Sequence, residues 1–113
     1  MHELTVANSL IESIASDARS RGILKITRIS VLVGELAGVS SGHLSFALEN
    51  LRAGTILENA SIEIQNVAAK ATCNHCSEPF HAGAPFFECP ACGKIGFPDS
   101  KSKEVHIAFY EGE

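Results

Sequence analysis

The feature that most constrains the fold of this chain is a pair of C-x-x-C motifs in its C-terminal half. CNHC contains Cys73 and Cys76, CPAC contains Cys89 and Cys92, and twelve residues (77–88) separate the two motifs. In such a motif two thiolates can point at one ion while backbone N–H groups approach the sulfurs, and two motifs together close a tetrahedral four-cysteine site. The spacing therefore predicts a structural zinc site whose ligands are these four cysteines.

Two other interpretations of the cysteines stay open at this point, namely two disulfides or iron in the same cage. The chain has no basic stretch followed by an apolar stretch at its start, so we expect a cytoplasmic protein with reduced thiols. Because four cysteines would fill every position around zinc, we do not expect catalysis there. His75 lies inside the first motif and could supplement a thiolate, but an exposed turn histidine is the favoured interpretation.

The segment around these motifs, residues 71–102, differs in composition from the rest of the chain. It contains all four cysteines and all four prolines, and it shows no helical or strand periodicity of useful length. About thirty residues without regular structure do not fit easily inside a compact domain. We therefore predict that 71–102 is a separate zinc-binding domain, folded by its metal. Residues 1–70 and 103–113 would form the other domain.

The remainder of the chain shows clear periodicity. Apolar residues at three- and four-residue spacing predict amphipathic helices over 4–19 and 43–53, and alternating apolar residues predict strands over 26–33, 61–67 and 105–110. The strand–helix–strand order favours parallel pairing of the first two strands. The predicted fold class is α+β: a small helix–strand–helix–strand domain with a returning C-terminal strand and an inserted four-cysteine, zinc-ribbon-like module.

Local signals refine these predictions. Leu4 begins the apolar face of the first helix, and Ser40 or Ser41 is the expected N-cap of the second. The alternation in the last strand predicts one shared face for Val105, Ile107 and Phe109. A long insertion before that strand makes a domain-swapped homodimer feasible beside a monomer.

Composition and motifs disfavour several classes of function. The net charge is −4, from 9 basic and 13 acidic residues, and the one basic stretch (19–28) is best interpreted as a solvated helix end, so we expect no nucleic-acid binding. No apolar run approaches the roughly 18 residues that span a bilayer. The sequence has no phosphate-binding glycine loop and no nucleophile–base set, and His43 and His106 are expected at the surface. We therefore do not expect an enzyme.

The first residues, MHEL, offer a second set of metal donors. The Met1 amine and the His2 amide would form a five-membered chelate ring, and that amide with the His2 Nδ1 a six-membered one. The amide of Glu3 would complete four nitrogens in a plane, an arrangement that selects Cu(II) or Ni(II). On chemistry alone the signal is weak, and Glu3 could equally well complement the dipole of a first helical turn.

The order of motifs along the chain closely resembles that of the HypA/HybF family of nickel metallochaperones. The resemblance rests on MHEL before an amphipathic helix, VGELAGV (33–39), LSFAL (44–48), and the paired C-x-x-C motifs before a terminal strand. It implies a nickel-binding α/β domain, a structural zinc domain, and cooperation with the GTPase HypB to load nickel into the large subunit of [NiFe]-hydrogenase.

Carried over by position, the resemblance implies that His2 is the principal nickel ligand, with the Met1 amine and the Glu3 backbone or carboxylate beside it. It also implies zinc ligation by the four cysteines. Family members often have an acidic or proline residue just after the GELxGV-type loop, where this chain has SSG (40–42). The rival hypothesis is a zinc-ribbon adaptor that binds other proteins and carries no nickel.

Overall fold

Two helices, six strands and one 3₁₀ turn make up the computed structural model, which describes residues 3–82 and 87–113. In chain order they are α1 (Glu3–Ser20), β1 (Ile26–Gly34), α2 (Ser41–Leu51), β2 (Ser61–Val67), β3 (Lys70–Cys73), β4 (Pro79–His81), β5 (Gly96–Pro98), the 3₁₀ turn (Ser100–Lys103) and β6 (Val105–Gly112). Both predicted helices and the three predicted strands are present, with ends displaced by at most about two residues. The predicted α+β class is confirmed.

The larger sheet has the strand order β2–β1–β6. Strand β2 lies parallel to β1, with Arg28 opposite Ser61 and Gly34 opposite Val67, as the strand–helix–strand order predicted. Strand β6 returns antiparallel on the other side of β1. The central position of β1 explains its many β-branched residues, because such side chains pack well on a pleated surface that is largely covered.

The main core lies between this sheet and the two helices. Its buried members come from α1, β1, α2 and the loop after α2: Ala7, Leu10, Ile11, Ile14, Ala18, Ile26, Ile29, Val31, Val33, Leu44, Ala47, Leu48, Leu57 and Ala60. One predicted core position is wrong. Leu4 is 60% exposed, because it lies in the first turn of α1 and faces an open groove that is also lined by Phe46, which is 71% exposed.

The predicted face of the last strand is also wrong at one position. The pairing of β6 with β1 shifts register, so that Ile107 lies opposite Val31 while Phe109 lies opposite Ser30. The extra residue, Ala108, reverses the alternation beyond it. Tyr110 consequently packs against the core, whereas Phe109 is 43% exposed and carries the Arg28 guanidinium 5.0 Å from its ring centroid.

A second sheet, ordered β4–β3–β5, forms where the sequence showed no periodicity. The expectation that 71–102 lacks regular structure is therefore wrong, since antiparallel pairs join Ala71 to Phe80 and Thr72 to Phe97. Its strands have only three or four residues each. The expectation of a weak core is supported, because among residues 3–82 and 87–113 the buried members of its apolar cluster are only Ala69, Ala71 and Ala82.

Hydrogen bonds from the loop after β1 connect the two sheets. Leu36 donates its N–H to the Ser102 carbonyl at 2.8 Å, and the buried Ser102 hydroxyl accepts the Lys70 N–H at 3.1 Å. The Glu35 carboxylate accepts the Ala69 N–H at 2.9 Å, and the His81 Nε2 lies 2.9 Å from the same oxygen. The Ala69 N–H, with His81 beside it, lowers the pKa of Glu35 and so keeps this acceptor charged.

Candidate metal centre

The two C-x-x-C motifs form matching turns beside the second sheet. Cys73 ends β3, and the N–H of Ser77 donates to its carbonyl at 3.0 Å; likewise the N–H of Gly93 donates to the Cys89 carbonyl at 2.8 Å. The residues that close the turns have positive φ, 62° at Ser77 and 75° at Gly93. The positive φ at Gly93 could be predicted from the sequence, because glycine adopts this conformation freely. Ser77 gives no such indication, since serine rarely adopts it.

The turns bring the four sulfurs together. All four Sγ atoms lie within 4.8 Å of one another, with 3.4 Å between Cys73 and Cys92 and 3.6 Å between Cys76 and Cys89. A disulfide would need about 2.05 Å. Four thiolates about 2.3 Å from a central zinc would be roughly 3.8 Å apart. The cluster therefore has the dimensions of a tetrahedral thiolate cage.

Backbone N–H groups stabilise the negative charge that these sulfurs carry when they bind a cation. Cys73 Sγ accepts N–H groups from Cys76 at 3.4 Å and His75 at 3.3 Å, and Cys89 Sγ accepts one from Ala91 at 3.4 Å. The Cys76 N–H, and after it the His75 N–H, lower the pKa of Cys73 to about 6. The pKa of Cys76 is raised to about 12 although the Glu78 N–H acts to lower it, because the Cys73 sulfur and burial oppose a second charge. A bound divalent cation would remove that repulsion.

The histidines near the cage lie outside it. His75 is exposed and contributes its backbone N–H to Cys73, in agreement with the favoured interpretation of an exposed turn histidine. His81 faces Glu35. Within 3–82 and 87–113, the four cysteines are the one group of three or more metal-ligating side chains that lie close enough to hold an ion.

Of the predicted N-terminal donors, the structure places only Glu3, and Met1 and His2 lie outside the described residues. The Glu3 carboxylate accepts the N–H of Ser40 at 3.2 Å, and this bond lowers the pKa of Glu3. Ser40 is the N-cap of α2, as predicted, and its Oγ accepts the His43 N–H at 3.3 Å. Glu3 therefore ties the start of α1 to the start of α2, a role that the sequence did not reveal.

Glu3, in α1, completes the N-terminal cap of α2. In a capping box, the third residue of a helix is usually a Glu or Gln that reaches back to the N-cap N–H. In α2 that position is occupied by His43, and Glu3 supplies the missing carboxylate from the neighbouring helix.

Neither α1 nor α2, the helices of the described ranges, is both long and apolar enough to traverse a bilayer.

The fold and the cysteine cluster define a small α+β metal-binding protein. Comparison with known sequences specifies it further: the family described as "Hydrogenase/urease nickel incorporation, metallochaperone, hypA" matches residues 1–112. The chain belongs to this HypA family of hydrogenase maturation factors.

Individual relatives and solved structures agree with this assignment. The chain is 33% identical over 114 residues to the hydrogenase maturation factor HypA of Caldanaerobacter subterraneus subsp. tengcongensis, with all of both chains covered. It is 35% identical over 95 residues to HypA of Chlorobium limicola, covering 84% of this chain and 82% of that one. The solution structure of the Ni metallochaperone HypA from Helicobacter pylori superposes with a TM-score of 0.73 at 25% identity, over 99% of this chain and 97% of that one.

Proposed function

We propose that this protein is a cytoplasmic nickel metallochaperone that binds Ni(II) at its N-terminus. It would deliver the ion, together with a HypB-type GTPase, to the large subunit of [NiFe]-hydrogenase. The observation that carries the proposal is the family match over residues 1–112, which begins at the first residue of the M-H-E chelate. That family is described by nickel incorporation.

The proposed nickel donors are the Met1 amine, His2 and Glu3. Because the Glu3 side chain already accepts the Ser40 N–H, its backbone amide is the better candidate donor. Coordination by deprotonated amides makes the affinity depend on pH, with weaker binding in acid.

The proposed role of the four cysteines is to hold a structural Zn(II). The Sγ–Sγ distances of 3.4 and 3.6 Å and the lowered pKa of Cys73 support a filled thiolate shell, which leaves no open position for catalysis. The metal would stabilise the domain that we assign to residues 71–102, whose described residues contribute only Ala71 and Ala82 to the buried apolar cluster. Residues 1–70 and 103–113 would form the nickel-binding domain.

Nickel titration of zinc-loaded protein without a tag, at a pH above 7, tests the proposal. One extra residue before Met1 converts the amine into an amide and leaves every side chain in place. We expect this extension to weaken nickel binding at least about tenfold, which corresponds to about 1.4 kcal/mol for the loss of one good donor. His2→Ala should weaken it by as much or more, and Glu3→Ala by less if only its backbone binds.

Zinc content, measured on the same samples, is the control and should be equal in all of them. If the extended and native proteins bound nickel equally, the amine would not be a ligand and the proposed chelate would be wrong. A protein that bound one zinc and no nickel would instead be the zinc-ribbon adaptor.

A further inference from the structure

Two open grooves lie between α1 and β6. The first has a volume of about 540 Å³, and its apolar lining includes Ile14 from the helix and Ile107 from the strand. The second has a volume of about 530 Å³, and its lining includes Val6 from the helix and Val105 from the strand. Because Ser13 borders both, the grooves adjoin along the strand and together form the edge channel.

The edge channel exists because two helices are wider than three strands. Two helices side by side are roughly 20 Å wide, whereas a sheet of three strands is roughly 14 Å wide. Helix α2 packs over β2 and α1 packs over β6, and the channel is lined by α1, β6 and loop residues. Helix α1 therefore extends beyond β6, and its apolar flank faces the position that a fourth strand of the sheet would occupy.

Strand β6 offers a hydrogen-bonding edge beside this channel. Among residues 3–82 and 87–113 it pairs with β1 alone, so no strand in this part of the chain uses the N–H and C=O groups on its other side. The strand has eight residues and contains neither proline nor lysine, which commonly protect an exposed edge. An extended peptide can pair with such an edge through its main chain, while its alternate side chains enter adjacent pockets.

The charges along the edge channel favour a basic occupant. The carboxylates beside it are those of Glu12, Asp17, Glu104, Glu111 and Glu113. Arg21 pairs with Asp17 at 2.9 Å. Arg28 pairs with Glu111 at 3.0 Å. In the described lining of the channel, Lys103 is the remaining cation. Carboxylates are therefore in excess, and lysine or arginine side chains would complement them.

A second copy of the chain fits the edge channel poorly. If two β6 strands paired antiparallel about a twofold axis, both α1 helices would lie on the same face of the joined sheet. Each helix already extends beyond its own β6, so the two would compete for the space above the new strand pair. The acidic residues of the two copies would also face one another. A single extended segment avoids both conflicts.

We propose that the free edge of β6 and the edge channel bind an extended segment of a partner protein, which adds a fourth strand to the larger sheet. The segment carries apolar side chains at alternate positions, which enter the two grooves, and lysine or arginine side chains that face the surrounding carboxylates. No nickel donor takes part in this contact, so the inference goes beyond the proposed function and does not depend on it.

The test measures binding of a fluorescein-labelled synthetic peptide, KVTVKVTVK, to zinc-loaded native protein. The peptide alternates valine with polar residues and has lysine at both ends and at its centre. We expect saturable binding by fluorescence anisotropy and slower deuterium exchange of the β6 amides. The acidic peptide EVTVEVTVE should bind at least about tenfold more weakly, because like charges would face each other. The peptide KVTPKPTVK should also bind at least about tenfold more weakly, because proline has no N–H to donate.

Variants of the protein locate the binding site. Ser13 is exposed and borders both grooves, so Ser13→Trp should fill the edge channel and weaken binding of KVTVKVTVK at least about tenfold. The matched control is Ser16→Trp, at an exposed position of α1 that belongs to a separate depression on the helix surface. It should retain the native affinity. Glu12→Gln combined with Glu104→Gln should weaken binding about threefold or more at low salt. Circular dichroism and zinc content verify the fold of each variant.

The absence of saturable binding by KVTVKVTVK would overturn the inference, and so would equal affinities of native protein and Ser13→Trp. Slower exchange confined to strands other than β6 would also overturn it, because the peptide would then bind elsewhere. A native dimer in analytical ultracentrifugation that Ser13→Trp dissociates would show that a second copy occupies the channel, which contradicts the proposed occupant. None of these measurements uses nickel, so their failure leaves the proposed function unaffected.

Discussion

The Gly34→Ala substitution should reveal how strongly the contact between the two sheets stabilises the fold. Gly34 ends β1 against the 3₁₀ turn. A Cβ there would lie 2.5 Å from the Lys101 carbonyl oxygen and even closer to that of Ser102. Both atoms belong to the main chain, so no side chain can rotate to make room. The 3₁₀ turn would have to move away from β1.

The size of the effect follows from what that movement disturbs. Overpacking typically costs about 1–3 kcal/mol. The displaced turn would also weaken the hydrogen bonds from the N–H groups of Gly34 to Glu104 at 2.9 Å and of Leu36 to Ser102 at 2.8 Å. The lower entropy of an unfolded chain with alanine offsets about 0.4–1 kcal/mol of this. We expect the free energy of unfolding to fall by about 2 kcal/mol, since the overpacking term is the largest.

Urea unfolding of zinc-saturated protein, followed by far-UV circular dichroism, measures this loss without a contribution from metal release. The midpoint of thermal unfolding should fall by about 8 °C for a domain of this size. Gly42→Ala is the matched control, because the nearest atom to its new Cβ, Ser40 Oγ, is 3.9 Å away and the residue is helical. That variant should be more stable by about 0.5–1 kcal/mol. Equal stabilities of the two variants would refute the close-approach argument.

Three further changes have expected outcomes. Cys92→Ser should lose the tightly bound metal and make 71–102 sensitive to protease while the helix signal persists; full metal occupancy by mass spectrometry would contradict the cage. Ser40→Ala removes the N-cap of α2 and should cost about 1 kcal/mol in urea unfolding, so an unchanged midpoint would count against the cap. Hydrogen bonds from Tyr110 and then Arg21 lower the pKa of Asp17 below its usual 3.8. That stabilisation is present above pH 3.8 and disappears as the pH falls through the lowered value. Tyr110→Phe should make the free energy of unfolding depend less on pH over this acid range. An unchanged slope in acid titrations would exclude this role of the Tyr110 hydroxyl.

The parts of the fold that could be predicted are those encoded in long runs. Residues 4–19 and 26–33 repeat the helical or strand period several times, so a single exception did not obscure the pattern. The cysteine cluster was predictable for a different reason, since C-x-x-C spacing defines local turns that bring sulfurs together regardless of the surrounding sequence. The second sheet was missed because a strand of three residues is too short to establish alternation.

The features that sequence analysis missed depend on contacts between distant residues. The β-bulge at Ala108 reverses the faces of Phe109 and Tyr110, and nothing in the alternating run 105–110 marks the extra residue. Glu3 accepts the N–H of the N-cap residue Ser40, 37 residues further along the chain, and Glu35 accepts an N–H from Ala69, 34 residues away. In the sequence, both carboxylates are compatible with simple solvation. Only the folded structure brings the donating N–H group close to each of them.

The four-cysteine cluster and the proposed nickel site suit two different residence times of a bound ion. A shell of four thiolates that fills every coordination position and is supported by backbone N–H groups releases its ion slowly, which suits a metal that maintains a fold. A cargo ion must instead leave on contact with a partner, so its donors have to be reachable. In the proposed function the nickel donors are the first three residues of the chain, of which Glu3 begins α1. Donors at the end of the chain would be exchanged for a partner's ligands without unfolding either sheet.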